Sequence, residues 1–137
     1  MEDFIKSNRV FATALITGLL LFSGISLFLK LSGNFPDAAD QSFGYIAVAV
    51  ALMIAPVAFS LFRKKSSECI TTDDEKRKEL YRAAVILQYA MIEGAALFNV
   101  ISFLLTGNYI NMAATGVLLL IMYSRMPSEE RFNQFGQ

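Results

Sequence analysis

Histidine is absent from this chain, and cysteine occurs once. Without imidazole the usual metal sites and proton relays are closed off, and one thiol cannot form an internal disulfide. The marks of soluble catalysis are missing too: no Cys-x-x-Cys, no phosphate-cradling glycine loop, no nucleophile elbow. The chain is therefore expected to be no enzyme, to hold no cofactor or metal, and to bind no nucleic acid. Charge is also scarce. Charged residues make up 18% and hydrophobic ones 55%, poorer and richer than in an ordinary soluble domain. The 137 residues leave room for a single domain, and the net charge is zero.

Long apolar runs fill the space. Val10 to Leu29 carry no charge and are long enough to cross a bilayer. A cleaved signal peptide would show a shorter apolar core and a small-x-small site, and FLKLSGNF offers neither. Ser42 to Phe62 form a second run, in which Ala47, Ala51 and Ala55 place small residues on one face for close packing. Pro56 removes a backbone bond within it, which membrane helices tolerate. Arg82 to Gly107 form the third run, and Tyr109 to Ser124 a shorter fourth that Arg125 can extend by snorkelling. The expected architecture is all-α: an integral membrane four-helix bundle in one domain, with spans at about 10–30, 42–62, 80–106 and 109–125.

The connections have their own signals. KLSGNFPDAADQ punctuates the first turn with Gly-Asn and Pro-Asp. The polar segment 63–79 holds a capping-box pattern, Thr72 followed by Glu75, which starts the third helix before the membrane. Gly107-Asn108 ends that helix and makes a tight turn. Eleven of the twelve basic residues lie in the N-terminal segment, the 63–82 region and the C-terminal tail, the exception being Lys30. The positive-inside rule then puts both termini and the 63–79 connection in the cytoplasm, in a cell (inner) membrane. Cys69 is expected in that open connection, within reach of an impermeant maleimide.

Two stretches repeat. Ile16-Thr17-Gly18-Leu19-Leu20-Leu21-Phe22 matches Ile92-Glu93-Gly94-Ala95-Ala96-Leu97-Phe98 at four of seven positions, and Ser32-Gly33-Asn34-Phe35 parallels Thr106-Gly107-Asn108-Tyr109. Such a pattern would arise from two duplicated hairpins related by an axis along the membrane normal. Thr17 then stands where Glu93 stands.

Glu93 is the ion-binding candidate. It sits near the midpoint of the third run, where an ionised carboxylate costs at least about 2.5 kcal/mol. It must be protonated, paired or used, and no second charge shares its depth. Arg82 is eleven residues away, about 16 Å along a helix, too far to pair. Tyr89 lies one turn back and could donate to the carboxyl. Thr17 and Thr115 lie at comparable depth as cross-helix partners, and Gln88 and Asn99 mark another polar face of the same helix. Glu93 is then either a proton or cation carrier or a protonated donor that locks helices together.

From Arg82 through Leu105 the chain, with the pattern R-A-A-x-x-L-x-x-A-x-I-E-G-A-A-L-F, resembles the ion-carrying helix of the rotary ATPase ring proteolipid, the c subunit. The resemblance covers about a sixth of the chain. It implies that Glu93 is the ion-binding carboxylate and that the Ala47–Ala51–Ala55 helix stands for the small-residue inner helix. The dense glycine repeat and the Arg-Gln-Pro-type loop of that family are absent here. Two functions follow as expectations. One is a small proton- or cation-handling membrane protein, assembled as a homo-oligomer because four short helices around one acid hardly enclose a pathway. The other is a non-transporting membrane subunit or scaffold that docks a cytoplasmic protein partner, or anionic lipid, through segment 63–79.

Overall fold

The computed structural model describes residues 2–69 and 73–136, and the described residues are helical apart from short connections. The order is α1 (Glu2–Leu31), α2 (Gln41–Glu68), α3 (Asp74–Thr106), α4 (Tyr109–Ser124) and a six-residue α5 (Glu129–Gln134). The three long helices α1, α2 and α3 are each long and apolar enough to cross a membrane, whereas α4 has only 16 residues.

Local chemistry sets the helix ends. Asp40, Asp73, Asn108 and Ser128 are the N-caps of α2, α3, α4 and α5, and each side chain accepts from a backbone N–H of the first turn. Gly107 takes the left-handed conformation at φ 67° and closes α3 by donating to Phe103 O at 2.7 Å. Asn108 starts α4 at once, so the reversal takes two residues, as the Gly-Asn pair suggests. Thr72 lies outside the described residues. The N-cap of α3 is Asp73, whose carboxylate accepts from the Glu75 N–H at 3.1 Å.

The helices outrun their apolar spans. α1 begins at Glu2, with Glu2 and Asp3 at the positive end of its dipole, and α2 continues through Glu68 with Lys65 at its negative end. Most of the basic stretch after Phe62 is thus helix rather than loop, since no Gly or Pro interrupts it. Cys69, expected in an open connection, is the buried C-cap residue of α2. Gly136 lies so close that a methyl added there would come within 3.0 Å of Cys69 O.

α3 is the hub. It packs against α1, α2 and α4, and α4 also meets α1 and α2. The long helices alternate in direction. Phe4, Phe62, Tyr81, Phe132 and Phe135 gather at one end, with ring centroids 5.4 to 6.3 Å apart around Tyr81. At the other end Leu105 O accepts from Ala38 N and Ala39 N, and Gln41 Nε2 donates to Thr106 O. α1 and α3 therefore run the same way, and the eleven segregated basic residues belong to helix ends gathered at the aromatic end. Arg77 fastens the tail there: its Nη2 donates to Phe132 O and Asn133 O and its Nε to Phe135 O.

Candidate functional site

The buried arc of α3 runs through Tyr81, Ala84, Val85, Gln88, Tyr89, Ile92, Ala95, Ala96, Asn99 and Val100. These positions recur every three or four residues, so they form one wide face toward the other helices. Glu93 is rotated off that face and half-exposed, next to the exposed Gly94. A methyl added to Gly94 would meet nothing within 4 Å. Ala83, Ile86, Ala90 and Ile101 continue the same open strip, which is lined by small and apolar residues. The cavities found among the described residues do not include Glu93 in their walls. The carboxyl stands on the outward side of α3.

The five residues grouped with Glu93 go elsewhere. Tyr89 is buried and donates its hydroxyl to Met122 O at 2.6 Å, tying α3 to α4. Thr115 donates to Asn111 O at 2.9 Å and lies 3.4 Å from Ala96 O. Thr17 is exposed on α1. Gln88 is buried, and its Nε2 has no acceptor among the described residues. Asn99 joins a network between α2, α3 and α4. Glu93 itself makes no hydrogen bond or ion pair among the described residues, where the ion pairs are Lys30–Asp37 and Lys78–Glu75.

The network around Asn99 is the most ordered polar feature of the core. Asn99 Nδ2 donates to Ala95 O at 2.9 Å, within its own helix, and to Ala47 O on α2 at 3.1 Å. Its Oδ1 accepts from Asn111 Nδ2 at 3.0 Å, and the same Nδ2 reaches Gly44 O at 2.8 Å. Both amides are fully buried. The small residues of α2 permit the approach: Ala47 and Ala51 are buried as their spacing suggests, and Gly44 lies beside Asn111. In an apolar layer each such bond holds two backbones together, because an unmade one leaves a polar group without water.

Sequence reading missed Asn111 on α4, and also Asn8 on the buried side of α1, whose buried Nδ2 has no hydrogen bond among the described residues. The available signal was position: Asn99 and Asn111 fall within two turns on either side of the Gly107-Asn108 reversal, which makes them cross-helix neighbours. The arrangement as a whole offers one unengaged carboxyl on an outer face, held by a polar-locked core. Comparison with family models, curated proteins and solved structures gives no match for this chain.

Proposed function

We propose that this chain is an integral membrane protein of the cell membrane, crossing the bilayer four times with both termini cytoplasmic, which handles protons or cations through Glu93 at a boundary between subunits. The observation that carries this reading is the outward, unpartnered position of Glu93 beside the open Gly94 strip. A carboxyl at the middle of an apolar helix is costly, and no partner among the described residues repays that cost. A second copy packed on the small-residue strip would enclose Glu93, exclude lipid and supply backbone or hydroxyl ligands. There it could exchange between protonated or ion-bound and empty states. The local resemblance to the rotary ATPase proteolipid helix, which carries a carboxylate at mid-membrane followed by small residues, points the same way. A role as an internal helix lock has less support, because Tyr89, Gln88, Asn99 and Thr115 find other partners or none.

Flux into sealed proteoliposomes tests the proposal. Wild-type protein is expected to dissipate an imposed proton or sodium gradient, and Glu93→Gln, which keeps size and polarity, to lose that flux while folding and oligomeric state persist. Flux equal to wild type in Glu93→Gln would rule the carrier reading out. A second reading has its own support: the basic end is a folded platform, with α5 fixed to α3 by three Arg77 hydrogen bonds. A scaffold that docks a cytoplasmic protein there would show no flux in either form.

A further inference from the structure

At the basic end, between the last turns of α2 and α4 and the short α5, lies a cavity of about 310 Å³. Its walls include Arg63, Arg125 and Arg131 with Ser66, Ser67 and Gln134, and no acidic residue. The other polar cavities at this end are mixed in sign: one has Asp73, Glu75 and Glu79 among its lysines, the other Glu2 and Glu129 beside Lys6 and Arg9. Three guanidinium groups around one space repel each other, so the fold holds them together against a cost that an anion would remove.

The groups are aimed and unspent. Arg125 Cζ lies 5.0 Å from the Phe59 ring centroid and 5.7 Å from that of Phe62, so its guanidinium is held over both rings. Its Nε is buried and has no acceptor among the described residues. Arg131 is anchored through a single donor, Nη2 to Ser124 O at 2.8 Å, which leaves its remaining N–H groups open. Arg63 is exposed at the rim and makes no hydrogen bond or ion pair among the described residues. Ser66 Oγ accepts from Gly136 N at 2.9 Å and keeps its own proton to donate.

We propose that this cavity binds a phosphate ester anion. Planar guanidinium forks match the paired oxygens of a phosphate group, and two or more converging forks favour it over a monovalent halide. The cavity opens at the level of Phe59 and Phe62, where the apolar lengths of α2 and α4 give way to charge. A phospholipid headgroup and a soluble phosphate ester share this chemistry, and the site is independent of Glu93.

The test uses the full chain in neutral detergent, with retention of added phosphatidylglycerol and phosphatidylcholine compared by native mass spectrometry. Phosphatidylglycerol is expected to be held in preference. Arg63→Gln, at an exposed rim position that does not bear on folding, is expected to weaken it about fivefold, the worth of one surface arginine near an anionic lipid. Arg63→Lys should lose less, because the charge stays and only the fork is lost. Lys64→Gln, one residue away but outside the cavity, should change nothing. Sodium phosphate in the same detergent separates the sources: displacement of the lipid at millimolar phosphate identifies a soluble ester as ligand, and lipid binding that survives it identifies a headgroup. Equal retention of the two lipids with no phosphate binding, or an equal loss in Lys64→Gln and Arg63→Gln, would overturn the proposal.

Discussion

Gly44→Ala is expected to change the sign of its effect according to the residue at position 111. In the native chain a methyl on Gly44 would lie 2.6 Å from Oδ1 of Asn111, closer than carbon and oxygen can approach. Either end of the amide would meet the methyl, so Asn111 must rotate away. That rotation gives up the 2.8 Å bond to Gly44 O and the 3.0 Å bond to Asn99 Oδ1. Hydrogen bonds between membrane helices average about 0.6 kcal/mol and reach about 1.7, so the pair accounts for about 1–3 kcal/mol. Alanine in place of glycine inside a helix returns up to about 1 kcal/mol. The balance is a net loss of about 1 kcal/mol.

The Asn111→Ala background removes the close approach. The remaining neighbours of the added methyl are Cβ and Nδ2 of Asn108 at 3.4 Å, a distance that needs little adjustment. Gly44→Ala should then stabilise by up to about 1 kcal/mol, the helix-propensity gain alone. The two backgrounds thus differ by about 2 kcal/mol, well beyond the additivity error of about 0.5 kcal/mol for independent sites. Reversible unfolding in mixed micelles, titrated with a denaturing detergent, reads all four corners of the cycle. An effect of the same sign and size in both backgrounds would show that Asn111 does not occupy the space over Gly44 and that the amide network is absent.

Two further outcomes test other parts of the fold. Arg77→Met removes three hydrogen bonds to the carbonyls of residues 132, 133 and 135, and with them the cation 4.6 Å from the Phe132 ring. At about 2 kcal/mol for this partly exposed set, amide exchange across 129–136 should speed up about thirtyfold while the long helices stay protected. Gly107→Ala forces a side chain into the left-handed region at φ 67° and 2.8 Å from Asp37 Oδ1, which Lys30 holds by an ion pair. A loss of about 1–2 kcal/mol in the micelle titration is expected, and none at all would mean that the turn is not formed as described.

Much of the fold could be read from the sequence because apolar length and end chemistry are local signals. The uncharged runs, the Gly107-Asn108 reversal and the small face of Ala47 and Ala51 depend on neighbours a few residues away. The surroundings of Glu93 do not. Tyr89 and Glu93 are four residues apart and seem to share a face, yet four steps of 100° overshoot a full turn by 40°. With α2, α1 and α4 all crowding one side of α3, that rotation is enough to bury Tyr89 against Met122 and leave Glu93 at the edge. The tail escaped reading for another reason. Six residues of α5 are too few to show a period, and the tail is held by its own backbone carbonyls on Arg77, which no side-chain pattern encodes.

The parallel course of α1 and α3 gives the internal repeat a physical content. Ile16 and Ile92 are 76 positions apart, as are Ile25 and Ile101. The same offset carries the buried residues of α1, Ile5, Asn8, Ala12, Leu19, Ser23 and Ser26, onto Tyr81, Ala84, Gln88, Ala95, Asn99 and Ser102, all buried on α3. The two helices thus turn equivalent faces inward. Their outward positions correspond as well, because the offset carries the exposed Thr17 onto the half-exposed Glu93. The sequence repeat and the burial pattern agree. At the equivalent outward position α1 has no carboxyl and packs without one, so this packing geometry does not itself require an acid. The polar groups that fasten the core are Asn99, Asn111, Thr115 and Tyr89, all on the inward side of their helices. Glu93 lies off that inward set, so Glu93→Gln is expected to leave folding intact, and on the proposed reading the carboxyl has its reason in what it meets outside the chain.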